Sequence, residues 1–233
     1  GERRVGLLSA MTWVTAPTTL AYGTFAQDTV YLVFFTLCLW LTWRVATARG
    51  TPRWGDLLGL GGAFAALVML NFSWCIMTTL FAVFCLAIGR LRRHSPARIA
   101  RGIVPPLAVM VLLVLPVLLY FRLDYWAIYR VASDYVGQWY RFETPYQWMM
   151  ALVGGQMDLW LMMGPVSLAA FLWQERHMAR EGTDLPARWL LWCILAVFAL
   201  PLLLGPNPLK MEAARCWNWM LPVPFAWAAR GLL

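Results

Sequence analysis

Asp28, Asp158, Lys210, Glu212 and Arg215 are the charged side chains whose type and setting could carry chemistry in this sequence. Asp28 follows Gln27 in TAPTTLAYGTFAQDTVYLVFFTLCLWLTW, residues 15–43, at the mouth of a long apolar run. A carboxylate is costly at membrane depth, so it either has a task there or sits at the rim. The bland role for Asp28 is a cap on a helix that begins at Thr29, accepting backbone N–H bonds and complementing the helix dipole. Capping would not exclude a functional role for this acid. Asp158 lies in ALVGGQMDLWLMMGP, where it reads as a rim acid or a buried polar anchor.

GPNPLKMEAARCWNW, residues 205–219, holds the remaining charges. Glu212 and Arg215 are three apart, a spacing that allows an ion pair on one helix face, worth about 0.2–0.5 kcal/mol. Alternatively Lys210 and Arg215 bind a phosphate, which a guanidinium can engage through two parallel bonds. An aromatic connector precedes these elements: RLDYWAIYRVASDYVGQWYRFETPYQW, residues 122–148. Tyr125 and Tyr129 are four apart, and Val136, Trp139 and Tyr140 continue the stripe. The pattern predicts an amphipathic helix lying in a membrane interface, and Tyr129 and Trp139 could also roof a lipid-linked or sugar substrate.

The elements that must position these residues are apolar helices. The chain is 61% hydrophobic and 13% charged. A soluble domain is roughly 45–50% apolar and about 25% charged. The expected fold is therefore all-α, a polytopic transmembrane bundle formed by residues 1–233 as one domain. Apolar runs at 6–22, 29–45, 57–72, 75–89, 103–121, 149–173, 189–204 and 217–233 predict about eight spans. The stretch from Leu57 to Gly89 exceeds one span, and LNFSWC at 70–75 is the expected break of a tight hairpin. Pro17, Pro105, Pro106, Pro116, Pro165 and Pro201 are tolerable in such helices, where neighbours satisfy the freed carbonyls.

Alternating these spans sorts the basic residues into fourteen on one side and five on the other. The arginine-rich side is expected to be cytoplasmic. Asp28, the turn at 70–75, the 122–148 connector and the 205–216 connector then face outward. The net charge of +8 is explained by this asymmetry, and nucleic acid is not expected as a partner. The 15 Trp suit interfacial anchoring. Cys38, Cys75, Cys85, Cys193 and Cys216 form no CxxC and read as packing residues. His94 and His177 stand apart, with no zinc spacing. No phosphate-binding glycine loop and no nucleophile elbow occur. The chain opens GERRV, without Met and without a signal-peptide pattern, and residues and spans are expected to precede Gly1.

The order of these features resembles the transmembrane core of the GT-C glycosyltransferases, which include protein O-mannosyltransferases and the aminoarabinose transferases of lipid A. The resemblance is carried by YGTFAQDTVYLVFFTLCLWLTWRVATARGTPRW, by the hairpin LLGLGGAFAALVMLNFSWCIMTTLFAVF, and by MEAARCWNWMLPVPF. Asp28 matches the acid that begins an extracytoplasmic span end in that superfamily, and Gly59, Gly61 and Gly62 match its glycine-rich span. The resemblance implies a sugar donor on a polyprenyl phosphate and an extracytoplasmic glycan, lipid or protein acceptor. It implies inverting transfer with Asp28 as an acid of the site. Lys210, Glu212, Arg215, Asp158, Tyr129 and Trp139 would lie along the substrate. It also implies a divalent metal in some members, held here by Asp28, and a bacterial plasma membrane location. The superfamily's first-loop acid pair falls before the matched region. A transporter or flippase for an amphipathic substrate, with Asp158 as its deep acid, is the alternative from another class, and a non-catalytic membrane subunit is a third.

Overall fold

The structure, a computed structural model, describes residues 2–15, 26–70, 74–139, 144–162, 164–181, 185–204 and 222–232. All regular structure among them is helical: α1 (Glu2–Thr15), α2 (Ala26–Thr47), α3 (Trp54–Leu70), α4 (Trp74–Leu91), α5 (Pro96–Tyr120), α6 (Tyr125–Trp139), α7 (Pro145–Met162), α8 (Pro165–Glu181), α9 (Leu185–Leu204) and α10 (Pro222–Leu232). The chain forms two compact units. One comprises Gly1–Leu32, Tyr135–Leu185 and Ala199–Leu233, and the other comprises Val33–Asp134 and Pro186–Phe198.

The second unit is built on antiparallel apolar helices. Leu60, Phe64 and Leu67 of α3 recur at helical spacing and are fully buried, as are Met77, Phe81, Phe84 and Ile88 of α4. Phe64 and Phe81 meet at 5.6 Å with their planes tilted by 57°, and Trp43 of α2 stacks on Phe84 at 6.0 Å. Helices α3 and α5 pack most closely, and Gly61 is the reason. A Cβ at Gly61 would lie 2.5 Å from Val109 Cβ and 2.7 Å from the Pro106 carbonyl. Pro105, Pro106 and Pro116 lie inside α5 without ending it, as expected for such a helix.

Local chemistry sets the helix ends. Ser95 caps α5, its hydroxyl accepting from the Arg98 N–H, with Pro96 at the first helical position where its missing N–H costs nothing. Helices α4 and α5 close in the same way. His94 N–H reaches back to Gly89 C=O at 2.8 Å, and Leu123 N–H to Leu118 C=O at 2.9 Å. Arg93 (φ 53) and Arg122 (φ 51) take the left-handed position that glycine usually fills. A side chain there costs roughly 1–2 kcal/mol. Arg122→Gly is therefore expected to stabilise the protein by about 1 kcal/mol, read as a higher unfolding midpoint in a denaturant titration.

In the first unit, α10 packs against α8 and α1. Phe225, Trp227, Ala228 and Ala229 of α10 and Phe171 and Met178 of α8 are buried. The apolar run 149–173 is divided between two helices rather than forming a single one. The chain breaks between α7 and α8 at Gly164, whose φ of 93 suits glycine, and Pro165 starts a new helix. Pro165, expected as a proline tolerated inside a span, instead stands at the first position of a helix.

Other boundaries follow the apolar runs. Separate helices stand on either side of residues 71–73, and 71–73 themselves, with Pro17, lie outside the described residues. Among the described residues, α4 and α5 are long and apolar enough to cross a membrane, and Val33–Thr47, Trp54–Leu70 and Pro186–Val197 are shorter apolar helical segments.

Candidate functional site

Position 28 falls in the first described turn of α2, the helix being described from Ala26, so Asp28 does not precede its helix as the capping expectation required. Position 158 lies four residues before the end of α7. The helix runs from Pro145 through that point. Trp139 is the last residue of α6. The side chains of Asp28, Trp139 and Asp158, and all of Lys210, Glu212 and Arg215, lie outside the described residues.

Tyr129 is described. Residues 125–139 do form the helix that the aromatic pattern predicts. Tyr125 and Tyr129 on one side are half-buried, while Trp126, Ile128 and Val131 are exposed. The Tyr129 ring stacks on Trp126 at 5.3 Å with planes 21° apart. The result is a pair of stacked aromatic rings forming a surface at the start of α6.

Tyr125 anchors that surface. Its hydroxyl donates to the Val68 carbonyl at 3.1 Å and accepts from Trp74 Nε1–H at 2.9 Å. Val68 belongs to the last turn of α3, where carbonyls have no partner within the helix. One phenol thus joins the end of α3, the start of α4 and the start of α6. Burial raises the Tyr125 pKa above its ordinary value, the Trp74 hydrogen bond opposing, so the phenol keeps its proton and remains a donor at neutral pH. Tyr125→Phe leaves the Val68 carbonyl and the Trp74 N–H without these bonds, and a loss of about 1–3 kcal/mol is expected. Faster proteolytic cleavage within 122–148 would register it, and an unchanged rate would mean that the aromatic stack holds α6 without the relay.

The opposite end of this unit is polar in another way. Arg92, in the α4–α5 turn, donates to the Thr47 carbonyl at 2.7 Å and to that of Ala48 at 3.5 Å. Arg98 donates to the carbonyls of Arg49 and Gly50. Two guanidinium groups therefore cap the C-terminus of α2 and the connector after it, where the helix dipole favours cations. Arg44 pairs with Asp56 at 3.1 Å and lies over the Trp40 ring, 4.8 Å from its centroid. His94 sits in the same turn, and its pKa is lowered by burial and then by the charges of Arg98 and Arg92.

Sequence reasoning read these arginines only as orientation signals and missed the caps. It also missed the tyrosine relay. In the sequence, only the proximity of Arg92 and Arg98 to a Ser-Pro helix start hinted at a structural task.

Among the described residues no group of three or more His, Cys, Asp or Glu is gathered to hold a metal. Compared with known protein families, with characterised proteins and with solved structures, the chain matches none. The functional reading rests on the residues themselves.

Proposed function

We propose that this chain is a multi-pass membrane protein of about eight spans with a GT-C-like architecture, and that it transfers a sugar from a polyprenyl-phosphate donor to an extracytoplasmic acceptor. The observation that carries the membrane reading is the surface of α5. Only 22% of its span-length window is buried, and Val104, Leu112, Leu113 and Leu119 on the open face are more than half exposed. A soluble core helix of that apolarity would be enclosed, whereas lipid tails would cover such a face. Arg92 and Arg98 at one end and the Trp126–Tyr129 surface at the other support the expected sidedness, arginines inside and aromatics outside. In a cysteine-free background, a cysteine at position 93 is expected to resist membrane-impermeant reagents in intact cells, and one at 130 to react. Labelling of position 93 from outside would overturn the orientation.

On the outer face, transfer needs a carboxylate acting as base to take the acceptor proton and cations to stabilise the leaving phosphate. Asp28 supplies the carboxylate, while Lys210 and Arg215 supply the charge. Glu212 orients Arg215. A divalent metal, where one takes part, would add positive charge beside the phosphate, with Asp28 as its ligand. Transfer rate measured against polyprenyl-phosphate-sugar concentration, in protein expressed from its full reading frame, tests the assignment. Arg215→Lys keeps the charge and loses the planar fork, so apparent donor affinity is expected to fall about tenfold. A surface Arg215–Glu212 pair with no donor contact would leave the curve unchanged, such pairs being worth at most about 1 kcal/mol.

Position 158 inside α7 favours a second reading, transport of an amphipathic substrate, because an acid within a span is the mark of a pathway. Lipid-linked sugar moving across reconstituted vesicles without transfer to acceptor would select that reading.

A further inference from the structure

We infer that the arginine-rich end of the second unit is a binding surface for the phosphate headgroups of anionic phospholipids. The inference rests on the membrane reading and concerns the end of this unit that the reading expects to be cytoplasmic. Its first support is an imbalance of charge. The segments 44–56 and 88–101 contain eight arginines and one acid, Asp56. The hydrogen bonds of Arg92 and Arg98 to the carbonyls of residues 47–50 show that the two segments lie against each other.

Asp56 neutralises Arg44. Arg92 and Arg98 have hydrogen-bond partners, but carbonyls bring no formal negative charge. Arg49, Arg53, Arg90, Arg93 and Arg101 are exposed, and among the described residues none is in ion-pair contact with an acid. The His94 pKa is lowered first by burial and then by the charges of Arg98 and Arg92.

The second support is what surrounds the charge. Trp54, the first residue of α3, is 71% exposed. Leu86 and Leu91 of α4 and Val104 of α5 are exposed along the helices that lead away from this end. An occupant that satisfies the whole surface has a phosphate for the guanidinium groups and an apolar tail for the helix flanks. A phospholipid has both, and a free phosphate has only the first. Arg49 and Arg53 on one connector and Arg93 on the other offer exposed guanidinium groups to the head, since guanidinium pairs with phosphate oxygens in a planar fork. Trp54 then lies at the headgroup level, where indole is favoured.

The test uses the full chain reconstituted in vesicles of phosphatidylglycerol and phosphatidylcholine, then extracted for native mass spectrometry. Phosphatidylglycerol is expected to be retained several-fold over phosphatidylcholine. Combined Arg49→Gln, Arg53→Gln and Arg93→Gln should abolish the preference and leave Arg92 and Arg98 capping α2. Arg122→Gln, at the other end of α5, should leave it intact. Equal retention of the two lipids, retention indifferent to the triple substitution, or displacement of the lipid by inorganic phosphate would each overturn the inference. Flotation with purely zwitterionic vesicles reads membrane insertion separately. Flotation without lipid preference rejects this surface alone, while failure to float rejects the membrane reading beneath it.

Discussion

Gly61→Ala is expected to destabilise the protein by about 1–3 kcal/mol, and Gly61→Leu by enough to prevent recovery of folded protein. The methyl group of alanine would meet Val109 Cβ at 2.5 Å and the Pro106 carbonyl oxygen at 2.7 Å. Neither neighbour can yield cheaply. The first is a β-branched carbon held close to its backbone, and the second is backbone itself. Relief requires α3 and α5 to separate, which forfeits dispersion contacts along their whole interface. A domain has only about 5–15 kcal/mol of net stability, so this one contact accounts for a sizeable share.

Gly62→Ala is the internal control. Nothing lies within 4 Å of a Cβ there. Alanine also favours the helix over glycine by about 0.8–1.0 kcal/mol, so this variant should be neutral or slightly stabilised. Unfolding midpoints of the two alanine variants in the same detergent provide the comparison. Equal midpoints would mean that α3 and α5 do not approach as closely as the structure has them.

Asp28→Asn is expected to lower transfer by about 100-fold to 10,000-fold, the range of a lost general acid–base group. Folding should change little. Position 28 stands in the first described turn of α2, and a carboxylate there contributes about 0.3–1 kcal/mol through the helix dipole. Asparagine matches the shape of aspartate and makes similar local hydrogen bonds, so the substitution removes charge and basicity selectively. Transfer rate and unfolding midpoint, measured on the same preparation in protein from the full reading frame, separate the two roles. Wild-type transfer in the variant would reduce Asp28 to a helix-end charge. Lost transfer together with a large fall in midpoint would mean that the carboxylate supports the fold and would leave its chemistry unproven.

Helical class and element positions were legible in the sequence because they depend on local properties. Long apolar runs admit only structures that satisfy their own backbone, and the run from Leu57 to Gly89 is too long for one helix. Separate helices end at Leu70 and begin at Trp74 accordingly. The Tyr125–Tyr129 spacing likewise announced α6. The break at Gly164–Pro165 was written in the sequence but misread. Gly-Pro inside an apolar run signals either a tolerated kink or a new start, and the left-handed backbone of Gly164 settles it as a start. For the candidate site, the sequence nominated residues by chemical type, and Tyr129 is the one whose described side chain shows its surroundings.

The sequence by itself determined which segments are helices, which ends carry arginine and which residues could do chemistry, since each follows from neighbours along the chain. Only the tertiary structure decided which of equivalent residues acts. Gly59, Gly61 and Gly62 look alike in sequence, yet Gly61 alone of the three leaves no room for a Cβ, for close packing depends on a segment more than 40 residues away. Arg92 and Arg93 are adjacent and chemically identical. Arg92 reaches the end of α2, while Arg93 takes a left-handed backbone and stays exposed. Tyr125 becomes the joint of three helices because Val68 and Trp74 arrive beside it. Each assignment needs two distant parts of the chain to meet at bonding distance, and that distance is a property of the packed fold.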